Sequence, residues 1–408
     1  DTQKNHGALF RTDHNASGTS HLAYRFSMWD FRRPFLKNTE HPTQAVSRRN
    51  HADNFLVQWS HVRNASTVEE LKIGYSTFAW SSALAIPETA GTPTYNFPGG
   101  AIGGIDTVPS DFKQWMLTGR YDLTMTPGRH EMRIGGEFLG WRQTGEWHLI
   151  ERGTYNFRAS PPDIERRFPA DAVNRPERWD LSGLDALATN FLQNTGDWAV
   201  DIPRPTYALW FGDWWRVNDR LTMNYGIRYD LDRGATSPPD ITNRMEFAPF
   251  GGPLFKPDVT DNNNVALRAG FAWNVGGRGD FVVRGGSGLY YGTIVSNISF
   301  SEQSFGNRIV GNSFLNDGLP GWVLDPTRNF TAEQIRTGAT PQAPRVIAHD
   351  FQFPRTWQSS IGVQKRLGST LTLDLDVTHW KEYNRARGLD INLVPDSQNG
   401  YPAPGLTA

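Results

Sequence analysis

No cysteine occurs in the 408 residues, which removes disulfides, thiolate nucleophiles and cysteine-ligated zinc together. A surplus of either charge is also missing. Forty-one basic side chains face 42 acidic ones, a formal net charge of −1, so nucleic acid is not an expected partner, because phosphate binding needs a basic surplus. No apolar run approaches the ~18 residues that a membrane-spanning helix requires. The opening Asp1-Thr-Gln-Lys-Asn5 has neither the basic start nor the apolar centre of a secretory leader, so the chain is expected to be a mature form or a piece of a longer one. Catalytic signatures are absent too. His130-Glu131-Met132-Arg133-Ile134 lacks the second histidine of a zinc-protease helix, and Gly285-Gly286-Ser287-Gly288-Leu289 has leucine where a nucleophile elbow needs glycine. The ten histidines are scattered without metal-ligand spacing. The chain is therefore expected to be no enzyme and to carry no metal and no cofactor.

What the chain does have is strand periodicity. Leu221-Thr-Met-Asn-Tyr-Gly-Ile-Arg-Tyr-Asp-Leu231 alternates without error over eleven positions. In an extended strand this puts Leu221, Met223, Tyr225, Ile227, Tyr229 and Leu231 on one face and Thr222, Asn224, Arg228 and Asp230 on the other. A strand of roughly 9–11 residues with apolar groups outside and charge inside is the unit of a transmembrane β-barrel. The pattern recurs. Val265, Leu267, Phe271, Trp273 and Val275 oppose Arg268 and Asn274; Leu371, Leu373, Leu375 and Val377 oppose Asp374 and Asp376. Leu22, Tyr24, Phe26 and Met28 oppose Arg25 and Ser27, while Met132, Ile134 and Phe138 oppose Glu131, Arg133 and Glu137.

Connections alternate in length. Short ones at 15–20, 64–67, 126–128, 218–219, 276–280 and 368–369 carry the Asn, Gly, Asp and Pro of tight turns. Long ones run over about 31–51, 81–112, 159–190, 233–262 and 292–354. Such an asymmetry suits an outer-membrane barrel, whose periplasmic turns are short and whose extracellular loops are long. Strands are expected at 6–13, 21–30, 53–62, 68–79, 113–124, 129–142, 147–158, 205–216, 221–232, 264–275, 281–292, 355–367 and 370–382. A short loop helix is expected near 181–192 from the spacing of Leu181, Leu184, Leu187, Phe191 and Leu192. Thirteen strands would leave edges unpaired in lipid, so further strands are expected.

Two sets of residues follow. Glu131, Arg133, Glu137, Arg228, Asp230, Arg268, Arg284, Asp374 and Asp376 are the candidate lumen charges; they contact a plug or solute, or simply pair with one another across strands. Trp29, Trp59, Trp80, Trp215, Tyr229, Trp273, Tyr291 and Trp357 are candidates for aromatic girdles at the membrane surfaces, with sugar-stacking platforms as the rival. Arg278-Gly279-Asp280 resembles an adhesion tripeptide but falls in a short turn.

Tyr207-Ala-Leu-Trp-Phe-Gly-Asp-Trp-Trp-Arg-Val-Asn-Asp-Arg-Leu-Thr-Met-Asn-Tyr-Gly-Ile-Arg-Tyr-Asp230 resembles a hairpin in the barrels of TonB-dependent receptors, specifically the Oar-like group with its carboxypeptidase-regulatory-like N-terminal domain. Gly212-Asp213-Trp214-Trp215 replaces the more usual Gln-Asp-Asp-Trp of that group, and Asp230 stands for Glu. Asn264–Trp273, Val283–Tyr291, Trp357–Arg366 and Asp390-Ile-Asn392 resemble further pieces of the group in the same order, so the likeness is specific over 205–392 and looser before it. It implies the middle section of a larger all-β antiparallel barrel, expected to have 22 strands, with residues 1–408 a barrel segment. The plug, the regulatory-like domain and the closing strands are expected to lie outside it. The implied partners are outer-membrane lipid, the TonB complex acting through that plug, and an unknown extracellular ligand chosen by the loops at 81–112, 159–202 and 292–354. The alternatives are a surface-exposed structural or adhesion protein that uses the barrel as an anchor, and a secreted, soluble β-rich glycan binder or glycan-active enzyme.

Overall fold

The computed structural model describes residues 3–36, 41–233, 261–293, 296–304, 309–316, 322–323, 347, 351–387, 393–395 and 402–404. In chain order its strands are β1 (Lys4–Asn15), β2 (Ser20–Leu36), β3 (Val46–Asn64), β4 (Thr67–Leu84), β5 (Thr94–Phe97), β6 (Gly100–Gly103), β7 (Ser110–Met125), β8 (His130–Trp147) and β9 (Thr154–Phe157). After the single-turn helix α1 (Ile164–Arg167) come β10 (Ala188–Gly196), β11 (Ala199–Asn218), β12 (Leu221–Asp232), β13 (Asn264–Asn274) and β14 (Phe281–Tyr291). Helix α2 (Ser296–Gln303), β15 (Ile309–Leu315), β16 (Arg355–Leu367) and β17 (Leu371–Tyr383) follow.

Twelve strands form one antiparallel meander in the order β1-β2-β3-β4-β7-β8-β11-β12-β13-β14-β16-β17. Among the described residues β1 and β17 each pair on one side only, so this sheet is a curved wall rather than a closed ring. Its register explains why the alternation exists. Phe26, Phe55, Tyr75 and Leu117 stand opposite one another in a row across four strands, and Ile134, Phe211, Ile227 and Leu267 form a second row on the same face. These side chains touch no core: Leu267 is 62% exposed and Tyr75 48%. A continuous apolar face of this extent, uncovered by protein, is what a hydrocarbon environment covers.

Higher up the wall the outward face turns polar. Asp30, Arg32, Arg49 and His51 cluster there, and Arg142 is ion-paired to Asp201. At the opposite end, near the short turns, Glu69 lies outward and pairs with Arg63 at 3.0 Å, and the most deeply buried outward carboxylate there is Asp213. It is 2% exposed, accepts a hydrogen bond from the Tyr225 hydroxyl at 2.8 Å and shares another with His130 Nδ1 at 2.7 Å. Those partners offset the cost of a charge at the lipid boundary.

Several expectations need correction. The segment 147–158 is not a wall strand: β8 ends at Trp147, and Thr154–Phe157 joins a different sheet. No helix forms at 181–192. A 3-10 turn at Leu184–Ala186 leads directly into β10, and the helix-like spacing arises because Leu184, Ala188 and Phe191 reach one core from a turn and a strand. The wall strands are also longer than the sequence suggests. Above the lipid no apolar alternation marks them, so β2, β3, β4, β7, β8 and β11 extend into what reads as loop. The connection expected at 233–262 lies almost wholly outside the described residues.

Candidate functional site

Three long connections meet in a second sheet of five strands, ordered β15-β10-β9-β5-β6. They are the β4–β7, β8–β11 and β14–β16 connections, the same three loops that the sequence singles out for ligand choice. At its centre β5 and β9 carry the same tetrapeptide, Thr94-Tyr95-Asn96-Phe97 and Thr154-Tyr155-Asn156-Phe157, and pair parallel in register. Alternation sends the aromatics to one side. Tyr95 stacks on Tyr155 at 5.9 Å and Phe97 on Phe157 at 4.4 Å, and Phe168, Trp179, Leu184, Phe191 and Trp322 complete the core. The asparagines go to the other side as a ladder. Asn96 donates to Asn156, Asn156 to Asn190, and Asn190 to the Ser313 hydroxyl, at 2.9, 2.9 and 2.8 Å. The loops are therefore a small folded body with its own core.

Charge settings in this body have consequences for pH. Asp163 is held below the usual carboxylate range by hydrogen bonds from Arg167 and Arg166. A depressed carboxylate adds stability above about pH 3.9, lost as pH falls through the lower folded value. Burial pushes the Tyr95 phenol far up, with Tyr155 beside it as the lesser cause. A raised phenol adds stability that is complete below its unfolded value, about 10, and is lost as pH rises beyond it. The near-ultraviolet circular dichroism of the loop aromatics is therefore expected to fade in alkali, and Tyr95→Phe is expected to shift that loss to higher pH. Identical alkaline midpoints for the two proteins would contradict this.

The inner face of the wall carries the charges. Arg120 binds Asp122 through two hydrogen bonds of 2.7 and 3.2 Å and reaches Glu137 at 3.5 Å. Arg228 binds Asp230 at 2.8–3.0 Å and approaches Glu137 at 3.8 Å from the other side. Between the two guanidiniums lies the Trp210 ring, 4.7 Å from Arg120 and 5.2 Å from Arg228. Trp210 fits because its register partner is Gly135: a Cβ there would sit 2.4 Å from the indole. Glu137, Arg228 and Asp230 are thus brought together, and Arg120, Asp122 and Trp210 join them unforeseen.

Further along, Arg284 reaches across β16 to Asp376 at 2.7 Å and Asp374 at 3.6 Å. It crosses at Gly362, where a Cβ would meet Asp376 Oδ1 at 2.0 Å. Arg268 lies over the Tyr290 ring at 4.2 Å. Glu131 and Arg133 share this face but do not join the network. Near the loop end of the wall Arg204 and Asp232, both buried, form a forked pair whose Arg204 Nε lies 2.9 Å from each carboxylate oxygen.

Cross-strand register separates the aromatic candidates. Trp59, Trp215 and Trp273 share the outward face near the short turns, and Tyr229, Tyr291 and Trp357 share it nearer the long loops. Trp29 and Trp80 differ from the expectation: both fall on the inner face. Trp29 donates to Asn5 at 2.5 Å, and Trp80 stacks on Phe112. Their strands continue above the lipid, where an aromatic residue near a strand end no longer marks a membrane surface.

Comparison with known proteins agrees with this architecture. The family described as an outer membrane beta barrel domain matches residues 1–405. No curated protein matches the chain. Among solved structures, the outer membrane transporter YddB from Escherichia coli superposes with a TM-score of 0.55 at 13% identity, covering 90% of this chain and 38% of that one. FpvA from P. aeruginosa, solved bound to heterologous pyoverdines, gives 0.52 at 10%, covering 94% and 42%. The siderophore receptor PirA from Acinetobacter baumannii gives 0.51 at 10%, covering 98% and 47%. The chain spans less than half the length of each. At these identities the likeness is one of fold.

Proposed function

Since the chain belongs to the outer membrane beta barrel family, we propose that it is the ligand-receiving part of an Oar-like, TonB-dependent receptor wall. Its place is the bacterial outer membrane, and it is a barrel of the transporter and receptor kind rather than an enzyme. The observation that carries the proposal is the loop sheet. Three connections, separated in sequence by whole strand pairs, fold into one body with a shared aromatic core. A barrel that served only as an anchor would have no need to order its loops in this way, whereas loops that bind must be held in place. The inner charges from Arg120 to Asp230 then form the surface that meets a plug, and the outward Trp59, Trp215, Trp273, Tyr229, Tyr291 and Trp357 form the girdles.

The deciding experiment is retention of the full-length parent protein on an immobilised C-terminal domain of TonB. Retention by the parent, lost when its plug is removed, is the expected result. A parent that is not retained would overturn energised transport and leave the surface-anchor reading.

A further inference from the structure

The outward face of the wall is not uniformly filled. Across β11 to β16 it holds a groove of about 520 Å³, walled by Phe211, Ile227, Leu267 and Trp357. Its floor is Ala269 and Ser287, which stand opposite one another on β13 and β14, and their small side chains are what hollow it. The polar atoms along it are closed among themselves. The Ser287 and Ser359 hydroxyls lie 2.8 Å apart, and the Trp357 indole donates to Ser359 at 3.1 Å. Arg268 borders the groove but carries its guanidinium to the inner face, over Tyr290 at 4.2 Å. The groove therefore offers hydrocarbon surface, within the belt that faces lipid.

Trp357 ends the groove on the side of the long loops, and cations begin there. Its register partner on β17 is Lys381, and Arg355 lies two residues before it on the same face. Both reach the Tyr383 ring, Lys381 Nζ at 5.1 Å from the centroid and Arg355 Cζ at 5.8 Å. Among the described residues neither meets a carboxylate, and alternation places Glu382 on the inner face. Past β17 the chain adds two exposed guanidiniums, Arg385 and Arg387. Other outward cations above the lipid are already matched, Arg32 and Arg49 by Asp30 and Arg142 by Asp201. A further strand along the free edge of β17 would take its backbone groups and leave these side chains outward.

We propose that this corner of the wall binds one phosphorylated lipid of the leaflet on the long-loop side. The phosphate sits against Lys381 and Arg355, and an acyl chain lies in the groove below. Charge-assisted hydrogen bonds to a phosphate give both cations the anionic partner that the Tyr383 ring replaces in part. Lipid that merely coats the belt needs no groove, and a soluble phosphate gains nothing from one. A phosphorylated lipid uses both features, which are continuous through Trp357. The inference goes beyond the receptor reading and requires of it no more than a wall standing in the membrane.

The test is native mass spectrometry of the detergent-solubilised chain. It is titrated with bisphosphorylated lipid A, with the same lipid stripped of both phosphates, and with inorganic phosphate. Saturable one-to-one binding of the phosphorylated lipid is expected. Arg355→Ala with Lys381→Ala should weaken it by roughly thirtyfold and leave the stripped lipid unchanged. Ala269→Phe fills the groove and should weaken both lipids by about tenfold. Lys113→Ala removes an exposed cation from the same face of β7 and should change neither. Heat-modifiable mobility on electrophoresis reports that each variant has folded. Equal binding of the two lipids would overturn the proposal, as would equal losses from Lys113→Ala and the paired change. Inorganic phosphate that binds as tightly as the lipid would assign the cations to a soluble anion and overturn it too.

Discussion

Replacing Phe191 by alanine is expected to open the loop sheet while leaving the twelve-stranded wall folded. Phe191 is among the most deeply buried large side chains of the protein, packed on Tyr155 at 4.5 Å within the core that also holds Trp322. Truncating a buried phenylalanine costs about 3–5 kcal/mol, a factor of roughly 150 to 5,000 in the opening equilibrium of a body this small. The wall shares none of that core, so the two effects separate. Limited proteolysis should show new cleavage within 148–198, and hydrogen exchange should accelerate in β5, β9 and β10 but not in β11 or β12. Leu315→Ala, at a position 74% exposed, serves as the control and should change neither. Loss of the wall together with the loop sheet in Phe191→Ala would mean that the loops are not a separate body.

The second large effect is expected at Arg204 and Asp232. Both are buried on the inner face, and their forked pairing leaves little access to water. Breaking such a pair by Arg204→Ala strands a carboxylate without a partner, which costs about 3–5 kcal/mol. Replacing both residues with apolar groups of similar size, Arg204→Met with Asp232→Leu, removes the pair without leaving Asp232 uncompensated and is expected to cost less than the single change. Reversible urea unfolding in lipid vesicles measures both. Equal destabilisation of single and double variants would show that the pair itself, rather than the uncompensated charge, is what matters.

How much of this could be read from the sequence depends on which residues face lipid. β12 is legible because every second side chain from Leu221 to Leu231 answers to hydrocarbon. The upper ends of β2, β3 and β8 are not, because Asp30, Arg49 and Arg142 stand on the same outward face above the lipid, where alternation has no cause. Trp29 and Trp80 fall on the inner face by parity, since Leu22, Tyr24, Phe26 and Met28 take the even positions of β2 outward and Ile73 and Tyr75 the odd positions of β4; nearness to a strand end carries no such information. The loop sheet is hidden differently. Its pairings join β5 to β9 across about sixty residues and β10 to β15 across more than a hundred, and strands of four residues are too short for a period to show. One signal was available, the repeated Thr-Tyr-Asn-Phe at 94–97 and 154–157, in which two loops carry the same aromatic alternation.

Of the lumen charges, the sequence shows which face they occupy but not their partners. Glu137 meets both Arg120 and Arg228 because register places Arg120 beside Glu137, and Asp230 two strands further along the same row, beyond Ala208. That register is set by stagger between strands, which no single strand encodes. Trp210 reads as one aromatic among many until Gly135 is seen beneath it.

The two-faced wall is the central claim, and the absence of cysteine makes it directly measurable. Single cysteines placed in turn at 222 to 230 of β12, spin-labelled in the full chain reconstituted in lipid, report access to oxygen and to a water-soluble nickel chelate. Positions 223, 225, 227 and 229 are expected to be open to oxygen and closed to nickel, and 222, 224, 226 and 228 the reverse, with period two along the strand. Equal access of nickel to both sets would place water on both faces, and the chain would not be a membrane wall.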